Sequence, residues 1–143
     1  MNFQKLFYLM LFLMIVTGYS NETMNEEQEI EVQKRVGNDY NYEDFRNITD
    51  AKQVRKVNEI LNESDWEKVK IEMSRAPDYQ FVFQFKNPDI KSKAILHKIW
   101  VSSDKDTIQI LKQDNQYTQL TNENAATLLE IIIGDNLNKE ETE

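Results

Sequence analysis

The sequence predicts an α+β fold: an antiparallel β-meander of four to five strands with two helices packed on one face. Three observations lead to this prediction. Several short runs alternate apolar with polar residues, short turn signals separate most of these runs, and two segments repeat apolar residues at helical spacing. Parallel neighbours need a crossover of about a dozen residues or more, so short turns favour antiparallel pairing. The apolar stripes of the helices need a surface, which places both helices on one face of the sheet.

Alternation of apolar and polar side chains marks the strands. A weak strand lies around Ile30 and Val32. The later alternating runs are 69–73, 79–85, 95–101, 107–112 and 116–120. The run 79–85 has an aromatic residue at every second position, and we expect it to be a central strand. The segment 37–47 is rich in turn-forming and aromatic residues, so we predict a loop there.

Two segments have the spacing of amphipathic helices. Asp50 is placed to cap the first helix, with Gln53 three residues later in a capping-box arrangement. The predicted apolar face of this helix is Ala51, Val54, Val57, Ile60 and Leu61. Thr121 is placed to cap the second helix, and Gly134 marks its end. The predicted inner stripe of the second helix is Ala125, Leu128, Leu129 and Ile132.

Residues 1–20 are predicted to be a secretory signal peptide. A basic residue near the start precedes Leu6–Val16, a run without any charge. Gly18 and Ser20 are the small residues that a signal peptidase accepts, so we expect cleavage between Ser20 and Asn21. The apolar run is shorter than the ~20 residues of a membrane-spanning helix. No membrane span is therefore expected in the mature chain, unless the signal stays uncleaved and anchors it.

The remainder of the chain divides into a flexible acidic spacer at 21–29, a single α+β domain at 30–137 and a disordered tail at 138–143. The chain has 25 acidic and 17 basic residues and a net charge of −8, which repels nucleic acid and predicts no nucleic-acid partner. It has no cysteine, which excludes a lipid anchor on a thiol and argues against a disulfide-stapled secreted protein. A bacterial protein that is secreted or held at the cell surface fits these features.

Little in the sequence indicates catalysis. His97 is the only histidine, and a histidine base needs an orienting carboxylate and a cleft, neither of which the sequence places. The chain has only three glycines and no cysteine, which leaves no glycine-rich phosphate loop and no thiol nucleophile. We therefore predict no enzymatic activity, no catalytic residue, no cofactor and no metal site. The alternative is a small extracytoplasmic enzyme that uses His97 with nearby carboxylates.

Two clusters are candidates for binding. Tyr40 and Tyr42 lie in the predicted loop, where aromatic side chains can contact a partner or can pack the loop against the sheet. Arg75, Asp78 and Tyr79 flank a proline, and they form either an exposed recognition patch or the turn between two strands. Turn chemistry alone accounts for the proline and the aspartate, so the structural interpretation of the second cluster is favoured.

Four short motifs resemble the YhfM-like proteins, a family of small exported proteins of Gram-positive bacteria. The motifs are Trp66–Lys70, Arg75–Tyr79, Ile99–Val101 and Tyr117–Leu120. The resemblance covers about Ile48 to Gly134 and implies an extracytoplasmic α+β protein. The family is uncharacterised, so the resemblance implies no active-site residues. Members commonly carry a lipid-anchoring cysteine or an N-terminal membrane segment, and this chain lacks the cysteine.

These observations together predict an exported, non-catalytic small domain that binds a protein or a component of the cell envelope. The contacts are expected from one sheet face, or from the loops at Tyr40–Phe45 and Arg75–Tyr79. A purely structural or sporulation-associated component is a third possibility.

Overall fold

The computed structural model describes residues 27–134, and within this range the chain forms seven strands and two helices. The elements in chain order are β1 (Gln28–Arg35), β2 (Tyr42–Ile48), α1 (Ala51–Glu63), β3 (Glu67–Lys68), β4 (Tyr79–Phe85), β5 (His97–Val101), β6 (Thr107–Lys112), β7 (Gln116–Thr121) and α2 (Asn122–Ile133). All strand pairs are antiparallel, in the order β2-β1-β4-β5-β6-β7-β3. The α+β class is confirmed, whereas the predicted count of four to five strands was too low.

The predicted boundaries lie partly outside this range. The predicted signal peptide with its cleavage site at Ser20 and Asn21, and the predicted tail at 138–143, fall beyond the described residues. Strand β1 begins at Gln28, two residues before the predicted start of the domain.

The segment 37–47 is a loop only in its first part, because Tyr42–Ile48 forms strand β2. Strand β2 pairs with β1 across a register shift between Val32 and Gln33. It is an edge strand, and its outward positions carry charged and amide side chains, a common protection of sheet edges against unwanted pairing. That polar content hid the strand in the sequence, and the loop prediction was wrong for this part.

The alternating run 69–73 is not a strand, although the two preceding residues form β3. Strand β3 pairs with β7 at the far edge of the sheet, while the next strand, β4, lies on the other side of β5 and β6. The chain therefore crosses the sheet between Val69 and Asp78. Trp100 and Leu111 face away from the helices and are nonetheless buried. Ile71 and Met73 of the crossing segment line one shallow cavity together with Trp100 and Leu111. The alternation of 69–73 therefore reflects packing over a sheet face and not hydrogen-bonded strand pairing.

The two helices lie on the other face and close the core. Asp50 caps α1 as predicted, since its carboxylate accepts hydrogen bonds from the backbone N–H groups of Lys52 and Gln53 at 2.8 and 3.1 Å. The buried residues of α1 are Val54, Val57, Ile60 and Leu61, whereas Ala51 is exposed in the first turn and not part of the apolar face. All four residues of the predicted inner stripe of α2 are buried.

Strand β4 is an interior strand with Phe81 at 1 % exposure, as its aromatic pattern indicated.

Gly134 ends α2 in a conformation that only glycine adopts readily, with φ 77° and ψ −169°. A Cβ atom at this position would also meet the guanidinium of Arg46, which lies against the helix end. We expect Gly134→Ala to lower the free energy of unfolding by about 1–2 kcal/mol because of the backbone conformation. Urea unfolding followed by tryptophan fluorescence measures this loss. In an Arg46→Ala background there is no guanidinium for the new Cβ to displace, so Gly134→Ala should lower the free energy of unfolding by less, but still measurably. A Gly134→Ala chain that is as stable as the parent would contradict this prediction.

Candidate functional site

A cavity of about 360 Å³ opens on the helix-bearing side of the sheet, where the start of β5 meets the end of β6. Its walls come from the beginning of β1, from β4, from the second half of α1 and from the loop between β4 and β5. The lining residues are Gln28, Asn58, Leu61, Asn62, Trp66, Phe83, Ser92, Lys93, Ile95, His97 and Lys112. We call this cavity the lysine pocket after Lys93 and Lys112, the two basic side chains among its described lining residues other than His97.

Trp66 fixes one wall of the lysine pocket. Helix α1 ends at Glu63, and the indole Nε1–H of Trp66 turns back to donate a hydrogen bond of 2.7 Å to the carbonyl of Leu61. This bond satisfies a carbonyl of the last helical turn and holds the indole ring in place. The ammonium of Lys112 lies over the ring, with Nζ 4.5 Å from the ring centroid, a cation–π arrangement.

His97 forms the floor beside Lys112, its partner across the β5–β6 pair. The imidazole is 5 % exposed and stacks on Phe81 with 4.7 Å between the centroids. Its Nδ1 lies 3.0 Å from the carbonyl oxygen of Ile95, and because a carbonyl can only accept, Nδ1 carries the proton. The pKa of His97 is lowered to about 4, mainly by burial and in smaller part by the nearby charge of Lys112, while hydrogen bonds to the backbone oppose this shift. The ring is therefore neutral at neutral pH.

The charge of the lysine pocket differs from that of the whole protein. Among residues 27–134 its lining contains two lysines and three amide side chains but no aspartate or glutamate, in a chain with a net charge of −8. Within residues 27–134 neither Lys93 nor Lys112 forms an ion pair. By contrast, Lys56, Lys86 and Lys98 each pair with a carboxylate. The pocket can accept an anion, and it offers His97 no carboxylate partner for general-base chemistry.

The predicted binding residues lie elsewhere, and three of them meet in one network. Asp78 accepts hydrogen bonds from Arg35 at 3.2 Å, from Arg75 and from the backbone N–H of Val101 at 2.8 Å. The hydroxyl of Tyr42 donates to the carbonyl of Pro77 at 2.8 Å, and burial raises its pKa. These groups join β1, β2, β4 and β5, which supports the structural interpretation of this cluster.

The other two predicted binding residues are separated from this network. Tyr79 lies on the helix side of the sheet, where its ring packs against Phe45 with 5.7 Å between the centroids. Tyr40 is 72 % exposed and lies at the shallow cavity on the opposite face, which Pro77 and Trp100 also line. The structure thus does not unite the five predicted residues in one patch, and the accessible ones are Tyr40, at 72 % exposure, and the ion-paired Arg75.

Sequence reasoning did not identify the lysine pocket. One signal was present: Lys112 shares the inward register of β6 with Ile108 and Ile110, and a lysine on an apolar strand face is unusual. Trp66 appeared in the sequence only as the start of a family motif, and its ring packs partly buried against the core. Lys93 lies in an irregular loop and carried no signal.

Between residues 27 and 134, no group of three or more His, Cys, Asp or Glu side chains is arranged to hold a metal ion. In the same range no helix is long and apolar enough to cross a membrane.

The fold and the pocket extend over a segment that matches a known family. A profile of the YhfM protein family matches residues 23–137, which is most of the chain. The chain belongs to the YhfM protein family. The YhfM match includes β1 and β2, which precede the motifs from which the resemblance was first inferred. Comparisons with curated proteins and with solved structures found no match.

Proposed function

We propose that this YhfM-family chain is an exported, non-catalytic domain that binds a component of the cell envelope or an extracytoplasmic protein, and that the ligand enters the lysine pocket. The observation that carries the proposal is the acid-free lining of this pocket, with two lysines that lack ion-pair partners among residues 27–134, in a strongly acidic protein. Concave sites with a few convergent polar groups are the usual location of ligand binding.

The chemistry of the lining favours binding over catalysis. A general base works best with a pKa near the working pH, and the pKa of His97, lowered to about 4 mainly by burial, makes it a weak base. The Nδ1–H of His97 is held by the carbonyl of Ile95, and among residues 27–134 no carboxylate lines the pocket to orient the ring. The other described lining groups are mainly amides, ammonium groups and aromatic or aliphatic side chains, which suit ligand binding.

Export is supported by the N-terminal sequence. The uncharged run Leu6–Val16 followed by the small residues Gly18 and Ser20 has the pattern of a cleaved secretory signal. Mass spectrometry of the N-terminus from culture medium and envelope fractions tests this part. We expect a chain that starts at Asn21 in the medium, or an intact Met1 in the membrane fraction if the signal is retained. An intact chain confined to the cytosol would contradict export.

Site-specific photocrosslinking tests the binding part with the full chain in its own envelope. The crosslinker p-benzoylphenylalanine is placed at Ser92 on the rim of the lysine pocket, at Asp104 in the turn beyond the other end of β5, and at exposed Tyr40. We expect an adduct from position 92 and none from position 104. An adduct from position 40 alone would move the site to the loop before β2. Equal adducts from positions 92 and 104, or none from 92, would also overturn the assignment.

A further inference from the structure

The lining of the lysine pocket also indicates the chemical class of its ligand, an inference that rests on the proposed function. We propose that the pocket selects a small ligand in which a carboxylate or phosphate group is attached to an apolar or aromatic body. The anionic group would lie between Lys93 and Lys112, and the apolar body would lie against Trp66 and Phe83.

The anionic part follows from the environment of Lys112. Its side chain is half-buried, between the face of Trp66 and the neutral ring of His97. Burial of an ammonium group is costly unless a counter-charge or hydrogen bonds offset it. The aromatic face of Trp66 offsets only part of this cost. An anion at the pocket would complete the pairing, and Lys93 on the facing loop can bind it from a second side.

The apolar part follows from the remaining walls. Leu61, Phe83 and Ile95 supply hydrocarbon surface, and Ile95 is 37 % exposed, a high value for an isoleucine next to a buried strand. A volume of about 360 Å³ lies at the lower end of the range for small-molecule sites, about 300–1,000 Å³. The pocket therefore fits one compact group of a ligand.

Two other cavities of the described domain lack this combination. The shallow cavity at Trp100 has one lysine, Lys98, which is paired with Asp114, and it also contains Glu72. The cavity beside β7 is lined by three acidic residues, Glu63, Asp65 and Glu67, and by no basic residue. An anionic ligand would be repelled from the second and would find no free cation in the first. The cavity at Trp100 serves as the internal reference for the NMR test.

The test is a titration of the ¹⁵N-labelled full chain by NMR, read at the two indole N–H signals. Trp66 lines the lysine pocket, and Trp100 lies on the opposite sheet face with its Nε1–H bonded to the carbonyl of Arg75. The probes are phenylacetate, phenyl phosphate and the uncharged isostere phenylacetamide. We expect the Trp66 signal to shift with one or both anions and the Trp100 signal to stay in place. Phenylacetamide should bind at least ~10-fold more weakly, because a hydrogen bond between charged groups is stronger than one to a neutral amide. The ratio between the two anions shows which anionic group is preferred.

Matched lysine variants assign the selectivity to the pocket. Lys112→Met and Lys93→Gln should each weaken phenylacetate or phenyl phosphate binding by about 10-fold, and Lys112→Arg should retain it. Lys91→Gln removes the same charge two residues from Lys93, outside the pocket lining, and should change nothing. Lys93 lies on an exposed loop, so we expect Lys93→Gln to leave folding intact. This variant therefore tests the pocket even if Lys112→Met disturbs folding.

Three outcomes would overturn the proposed ligand class. They are equal affinity for the anions and the amide, unchanged binding in both lysine variants, or a Trp66 signal that no probe moves. If the adduct from position 92 persists in any of these cases, the ligand class is wrong while the binding function of the pocket stands. If that adduct is also missing, the proposed function fails with it.

Discussion

Asp78→Asn is expected to lower the free energy of unfolding by about 2–4 kcal/mol. The Asp78 side chain is 19 % exposed and receives hydrogen bonds from two arginines and one backbone N–H group. An amide in its place removes the negative charge and leaves Arg35 and Arg75 facing each other, since both bind the same carboxylate oxygen. The loss is largest at Arg35, which is 21 % exposed, because a partly buried charge that loses its partner is only partly compensated by water.

Asp114→Asn is the matched control for this prediction. Asp114 also forms an ion pair, with Lys98 at 2.6 Å, but its side chain is 77 % exposed. Exposed pairs contribute little, so we expect a change below about 1 kcal/mol. Urea unfolding followed by tryptophan fluorescence compares the two variants at neutral pH. Equal stabilities of the Asp78→Asn and Asp114→Asn chains would show that the Asp78 network does not hold the strands together.

Acid is expected to destabilise the fold through His97, by about 2 kcal/mol between pH 7 and pH 5 and by about 3 kcal/mol at pH 4. The pKa of His97 is about 4 in the folded chain, against an ordinary value of 6.5. The unfolded chain therefore binds a proton between these two values while the folded chain does not. Stability is full above about pH 6.5, falls as the pH drops towards 4, and changes no further through this residue below that.

His97→Gln is the control, because it removes the titrating group from the same position. The stability of this variant should stay flat between pH 7 and pH 5, whatever its absolute value. The carboxylates of Asp50 and Asp104 have pKa values below the ordinary 3.8, so their contributions are lost only at lower pH and do not overlap this window. A parent chain that is equally stable at pH 7 and pH 5 would mean that His97 is accessible to protons in the folded state.

The sequence predicted the parts of the fold that repeat a local pattern. Helix α1 was found from the spacing of its apolar residues and from the cap at Asp50, and the turn-separated strands from 79 onwards were found from their alternation. Strand β2 was missed because an edge strand tolerates charged and amide side chains at its outward positions, and these made the segment look like a loop. The run 69–73 was misleading because an extended segment that lies flat on a sheet face shows the same period of two as a paired strand.

The sites depend on the order of strands, which no local pattern contains. The pairing of Arg75 with Asp78, three residues apart, was readable in the sequence, whereas Arg35 reaches Asp78 only because β1 lies beside β4. The lysine pocket likewise forms where Trp66, after α1, meets Lys112 at the end of β6. The inward register of Lys112 was the one local sign of it.

The most direct test of the central claim, that the lysine pocket binds the natural ligand, is the crosslinking yield from position 92 in the native envelope with and without Lys112→Met. If the pocket is the binding site, the adduct forms in the parent chain and falls about 10-fold in the variant, because the cation that holds the ligand is gone. The Lys91→Gln chain should give the parent yield. An adduct that is equally strong with methionine at position 112 would contradict the account.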